Sequence, residues 1–118
     1  MKKNNRETGA KAEAIACWFL GQQGYDILEQ NFYTKVGEID IIAREAGYLV
    51  FCEVKYRASD KKGHPAEAVN PAKQRTISKS ALCYMTVNGI DEGPCRFDVV
   101  SIENHEVTLY RNAFDYTG

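Results

Sequence analysis

The sequence predicts one α/β domain, and three observations carry that reading. The chain is 118 residues long, the length of a single domain. Its hydrophobic periodicity runs helix, three strands, helix, two strands. Two runs rich in β-formers meet at Glu45-Ala46-Gly47, the mark of a β-hairpin.

Each element has a local cause. Met1 to Asn5 reads as a mobile polar arm. From about Thr8 to Gln22 apolar residues recur at helical spacing, at Ala12, Ile15, Ala16, Phe19 and Leu20, with Trp18 flanking. Thr8 offers an N-cap, and Gly24 sits where a left-handed C-terminal residue belongs. Tyr25 to Phe32 is a first strand. Gly37 opens the alternating run Glu38 to Arg44, and Tyr48 to Arg57 returns beside it. Ser59 to His64 is a polar loop, and Pro65 to Val69 has the makings of a helical turn. Asn70-Pro71 reads as an N-cap followed by proline at the first helical position. That helix runs to about Val87, turns Ile77, Ala81, Tyr84 and Met85 to the core, and stops at Asn88-Gly89. Arg96 to Ile102 and Glu106 to Arg111 are two further strands around a tight Asn104-His105 turn.

Composition narrows the class. The chain is 44% hydrophobic, far from the disordered regime, and long enough to bury a core without disulfides. Cys17, Cys52, Cys83 and Cys95 form no C-x-x-C pair, and each falls in an apolar stretch. They read as reduced core residues of a cytoplasmic protein. No apolar run approaches a membrane span, and Met1 to Arg6 leads into no signal-peptide core, so no membrane partner is expected.

The net charge of −1 counts mildly against a nucleic-acid partner, because many such proteins are basic overall. Its distribution is uneven. Between Lys55 and Lys79, seven basic residues (Lys55, Arg57, Lys61, Lys62, Lys73, Arg75, Lys79) face only Asp60 and Glu67, an excess of five. Such a segment on an acidic body either grips phosphates or is a solvated loop and helix face.

The chemistry concentrates on the hairpin. With Ala46-Gly47 as a two-residue loop, Asp40 lies across from Glu53, and Lys55 projects from the same face two residues along. Ile42, Leu49 and Phe51 share that face. Like charges directly opposite destabilise an antiparallel pair, so something must offset them. A divalent ion does, since carboxylate oxygens suit Mg²⁺ and Mn²⁺. Phosphodiester hydrolysis needs such an ion to polarise the phosphoryl group and activate water, and a lysine beside it to orient the water or stabilise developing charge. The plainer alternative is a cross-strand ion pair in which Lys55 only neutralises Glu53.

Gly37-Glu38-Ile39-Asp40 followed by Phe51-Cys52-Glu53-Val54-Lys55 resembles the PD-(D/E)xK signature of the restriction-endonuclease-like nuclease superfamily. Ile39 stands where that signature has proline. The stretches Glu7 to Ala14, Gly24-Tyr25, Asn31-Phe32, Gly63 to Val69 and Arg96 to Val100 resemble the bacterial YraN-like family, which is similar to archaeal Holliday-junction resolvases. The resemblance runs from about Glu7 to Ile102. It implies a restriction-endonuclease-like central mixed sheet of about five strands flanked by helices. It further implies Asp40 and Glu53 as metal ligands, Lys55 as the catalytic lysine, and Glu13 as a further carboxylate.

Other residues carry two readings each. Glu13 shares a helical face with Ala16, Cys17 and Leu20, and is either a ligand or a charge favouring the helix dipole. Asp98 beside Arg96 reads as a structural ion pair. His64 either contacts phosphate or is an incidental loop residue. Lys73 and Arg75 begin the second helix and either hold a phosphate or face solvent. Tyr56 either stacks on a base or is core.

The leading expectation is a Mg²⁺- or Mn²⁺-dependent DNA endonuclease acting on branched or junction structures. Asp40, Glu53 and Glu13 would hold the metal, Lys55 would assist the chemistry, and Lys61, Lys62, His64, Lys73 and Arg75 would hold the backbone. By analogy with junction resolvases it would act as a homodimer. A non-catalytic nucleic-acid-binding or adaptor module that keeps the fold is the alternative, and a purely structural ion-pair cluster is a third.

Overall fold

The computed structural model describes residues 5–57, 69–90, 93–103 and 106–117. Among them the elements follow the expected order: α1 (Asn5–Gln22), β1 (Asp26–Tyr33), β2 (Glu38–Glu45), β3 (Tyr48–Arg57), α2 (Pro71–Val87), β4 (Cys95–Glu103) and β5 (Glu106–Phe114). The strands form one five-stranded sheet in sequence order. β1, β2 and β3 pair antiparallel, β3 and β4 parallel, and β4 and β5 antiparallel. The parallel step needs a crossover, and α2 lies on it.

The two helices cover opposite faces of the sheet. Ala12, Ala16 and Leu20 of α1 close over Ile41, Ala43, Val50, Cys52, Val100 and Ile102. Ile77, Ala81 and Tyr84 of α2 close over Ile42, Leu49, Phe51, Phe97 and Val99, with Met85 partly buried against them. The fold is therefore α/β, a mixed sheet with a helix on either side.

α1 begins at Asn5, so Thr8 lies inside the helix and is not its N-cap, and Asn5 does not belong to a mobile arm. The reason is propensity. Arg6 and Glu7 are good helix formers, and the hydrogen-bonded ladder continues past the last apolar contact. α2 is capped as its sequence indicates: Asn70 is the N-cap, its side chain accepts the Lys73 N–H at 2.8 Å, and Pro71 follows. The Ser59–His64 loop, positions 65–68 of the expected helical turn and the Asn104-His105 turn lie outside the described residues.

The hairpin has the register that a two-residue loop dictates, with Glu45 opposite Tyr48 and Ile41 opposite Cys52. Ala46 and Gly47 both take positive φ, 52° and 84°, as a type I′ turn requires. The ladder stops at Ile41–Cys52, however, one pair short of Asp40–Glu53. Side-chain alternation on β2 also slips there: Ile41 and Ala43 pack under α1, whereas Ile39 and Ile42, three apart, both pack under α2. Strict alternation through Asp40, expected from the sequence, is thus broken at the residue that matters most. Opposite it on β1, Asn31 adopts a left-handed φ of 54°.

Both outer strands are interrupted. β1 carries an extra residue, Leu28, against β2. β5 bulges between Tyr110 and Phe114 against β4, where Asn112 has φ 53° and donates its N–H to Asp98 at 2.9 Å.

Arg96 and Asp98 do form the expected ion pair, within a larger cluster. Arg96 donates to Asp98 at 2.9 and 2.8 Å, to Tyr25 at 3.0 Å and to Glu45 at 2.8 Å. The Tyr25 hydroxyl donates to Asp98 at 2.6 Å. The cysteines are all free, but only Cys52 is buried; Cys17 is half-buried, and Cys83 and Cys95 are exposed, contrary to their expected place in the core. Cys83 sits on the outward face of α2 beside exposed Leu82, and Cys95 is the first residue of β4, where packing has barely begun. Among the described residues no helix is long and apolar enough to cross a membrane.

Candidate functional site

The strand slip at Asp40 builds the site. Where β2 and β3 part, Asp40 accepts the Val54 N–H through Oδ2 at 2.8 Å, so the carboxylate replaces a ladder acceptor. This fixes Asp40 beside the carboxyl of Glu53, close enough for its charge to act on it. Asp40 is 9% exposed and Glu53 5%. Burial above all, and then the charge of Asp40, pushes Glu53 up to about 8, against the pull of Lys73 and Lys55.

Two ammonium groups converge on Glu53. Lys73 Nζ lies 3.4 Å from Oε2, and Lys55 Nζ 3.9 Å from the same oxygen. Lys55 comes from β3 itself, two residues along, as alternation demands. Lys73 comes from the first turn of α2.

α2 is held over this end of the sheet by the β1–β2 connection. The Thr34 hydroxyl accepts from the Val36 and Gly37 amides at 3.1 Å each and lies 3.1 Å from the Ser80 hydroxyl. A Cβ on Gly37 would run into the methyl of Thr76. Glycine at 37 therefore lets helix and turn approach closely, which brings Lys73 into reach of Glu53.

Within reach of the Asp40 charge, a cleft of about 270 Å³ is lined by Gly9, Ala10, Glu13, Asn31, Tyr33 and Glu38. Glu13 is half-buried; burial first and then Asp40 raise its carboxyl, and a hydrogen bond from Asn31 opposes them. Glu38 is raised by burial and by Asp40, and Lys73 counters this. Its Oε2 is buried and finds no hydrogen-bond partner among the described residues.

The structure brings together Asp40, Glu53, Lys55 and Lys73, and sets Glu13 within the field of Asp40. Among the described residues no three His, Cys, Asp or Glu side chains converge closely enough to cage a metal ion, so Glu13 does not join Asp40 and Glu53 in a triad. Arg75 is exposed on α2. Lys61, Lys62 and His64 lie outside the described residues. Tyr56 is exposed and follows the alternation of Cys52 and Val54, on the face opposite Glu53, so it is neither core nor part of this site. In the first turn of α2 the Lys73 and Gln74 amides are both taken by Asn70, so anion holding there falls to side chains rather than backbone.

Sequence reasoning missed the Lys73–Glu53 contact, Glu38 and Asn31. One signal pointed to Lys73. A helix that follows a strand by crossover starts at the carboxyl end of that strand, where open α/β sheets place their ligands. Glu53 to Lys55 and the first turn of α2 meet at that end.

A five-stranded mixed sheet with a buried carboxylate pair and two lysines at one end defines an α/β protein with a charged site. Comparison with known sequences then places it. Residues 12–102 match the model of an uncharacterised protein family, UPF0102, and the chain belongs to that family. It is 49% identical over 116 residues to a UPF0102 protein of Lachnoclostridium phytofermentans, covering 98% of each chain. A Pelobacter propionicus relative is 47% identical over 97% of this chain and 86% of its own. One from Acetivibrio thermocellus is 46% identical over 96% and 95% respectively. The YraN-like resemblance of the sequence is thus borne out as family membership.

Proposed function

We propose that this protein is a metal-dependent endonuclease acting on DNA, with branched or junction structures as its preferred substrates. The observation that carries the reading is the Asp40–Glu53 carboxyl pair, buried together and flanked by Lys55 and Lys73. Such a pair is costly to bury unless a cation joins it. Two carboxylates fit Mg²⁺ or Mn²⁺, which take one or two protein carboxylates and complete their shell with waters and substrate phosphate. The motif resemblance to the PD-(D/E)xK nucleases supports the same assignment.

In this reading Asp40 and Glu53 hold the ion, with Glu13 nearby as a further acidic group. The ion, when bound, polarises the phosphoryl oxygens and activates water. Glu53 gives up its proton on binding it. Lys55, held beside Glu53, orients the water or meets the charge that builds on the phosphoryl oxygens. Lys73 and Arg75 hold the DNA backbone, joined by Lys61, Lys62 and His64 of the basic segment. A junction cutter works on two strands symmetrically, so the acting species is a homodimer. Four free cysteines suit the reducing cytoplasm.

One observation favours a second reading, a nucleic-acid-binding or adaptor module without catalysis: the net charge is −1, with no global excess of positive charge to draw DNA. The deciding experiment incubates the protein with labelled four-way junction, flap, linear duplex and single-stranded DNA, each with Mg²⁺, Mn²⁺ or EDTA. Cutting that needs metal and is lost in Asp40→Asn and Lys55→Ala establishes the nuclease. Salt-sensitive binding without cutting on every substrate establishes the adaptor.

A further inference from the structure

Glu53 has a lysine partner on its own strand, yet a second one reaches it from another element. Lys73 Nζ stands 3.4 Å from Glu53 Oε2, closer than Lys55 at 3.9 Å, and its charge also acts on Glu38. Its backbone is anchored, since the Lys73 N–H is capped by Asn70 at 2.8 Å. Its side chain is 39% exposed, so the ammonium touches both the buried carboxylate and the solvent from which a substrate arrives. A lysine stem is flexible and its ammonium is a compact point charge, able to exchange one anion for another.

We propose that Lys73 occupies the cation position at Glu53 in the metal-free protein and transfers to a DNA phosphate when a divalent ion takes Glu53. The inference rests on the nuclease reading above and adds a coupling to it. Ammonium and divalent ion compete for the same Oε2. An ion held there repels the ammonium, and a substrate phosphate gives the displaced charge a new partner. Metal and DNA then favour each other's binding through one side chain, reciprocally, as linkage requires. No bond is made or broken in the exchange.

The test is calorimetric titration of Mn²⁺ without DNA into the wild type, Lys73→Met, Lys73→Arg, Lys79→Met and Asp40→Asn. Lys73→Met keeps the stem and removes the charge. It is expected to bind Mn²⁺ at least about fivefold tighter, the scale of relieving one charge in a partly solvated site. Lys73→Arg should return towards wild-type affinity. Lys79→Met, the same charge change at an exposed position further along α2, should alter it less than about twofold because solvent screens it. In a Lys55→Ala background, Mn²⁺ should tighten binding of labelled duplex, and adding Lys73→Met should remove most of that gain. Equal or weaker Mn²⁺ affinity in Lys73→Met, or an equal gain from Lys79→Met, overturns the transfer and leaves the nuclease reading standing. Asp40→Asn binding Mn²⁺ like the wild type, or no binding by any variant, overturns both.

Discussion

Asp40 takes the amide of Val54 at 2.8 Å, a hydrogen bond that the ladder between β2 and β3 would otherwise have given to a backbone carbonyl. One carboxylate therefore has two tasks, closing the sheet at its fork and charging the site. Two substitutions separate them. Asp40→Asn keeps an oxygen for Val54 and loses the charge, so its thermal midpoint should stay near or above the wild type while metal affinity and cleavage disappear. Asp40→Ala strands a part-buried amide and should cost about 1–3 kcal/mol by denaturant titration.

Stability without metal should fall as pH rises through the range between the two states of Glu53. The folded chain keeps the Glu53 proton up to about 8, whereas an unperturbed glutamate releases it near 4.5. Between those values the unfolded state binds fewer protons, so the stabilisation present below the lower value is lost by the upper one. Urea titrations at several pH values check this. Glu53→Gln should flatten most of the slope, and the remainder, of the same sign, belongs to Glu13 and Glu38, whose carboxyls are also raised. Mn²⁺ affinity should climb across the same window, since the ion needs the proton gone.

Gly37→Ala places a methyl against the Thr76 methyl. A loss of about 1–3 kcal/mol is expected, together with weaker Mn²⁺-dependent activity as α2 is displaced. Thr76→Ser removes the opposing methyl and should recover most of both in the double variant. Recovery of neither would dissociate the turn from the site.

The hairpin turn offers a gain. Ala46 holds a φ of 52° that an alanine adopts only with strain. Ala46→Asn, at a type I′ position that favours asparagine, should stabilise the chain by about 0.5–1 kcal/mol and leave cleavage unchanged.

The buried cluster at the opposite end of the hairpin should behave differently from the site. Arg96→Met leaves Asp98, fully buried, without its cation and should cost about 3–5 kcal/mol. Surviving folded molecules should still bind Mn²⁺ with wild-type affinity. A change in metal affinity would show that the two clusters communicate through the sheet.

Local chemistry made much of this readable. The pair Ala46-Gly47 sets the hairpin register, and Asn70-Pro71 sets the start of α2, because turns and caps are decided by a few neighbouring residues. The set Asp40, Glu53 and Lys55 follows from that register. What lay beyond reach depended on contacts between distant segments. Lys73 meets Glu53 only because α2 folds back over the sheet, and Tyr25 and Glu45 join Arg96 and Asp98 only because α1 and the hairpin end there. Cys83 faces solvent despite its apolar neighbours, because neighbours in sequence do not fix which side of a helix a residue takes. The slip at Asp40 was hidden for a related reason: alternation is a rule for regular strands, and regularity gives way at Asp40, where the β1–β2 ladder skips a pair, the β2–β3 ladder has ended and Asn31 turns left-handed.

The irregularities of β1 and β5 have a consequence for how the molecule keeps company. These strands are the two open margins of the sheet, and an unbroken margin would be an invitation for copies to zip together without end. The extra Leu28 and the left-handed Asn31 bend one margin, and the Asn112 bulge bends the other. Among the described residues both margins thus depart from the flat, regular edge that strand-to-strand growth requires.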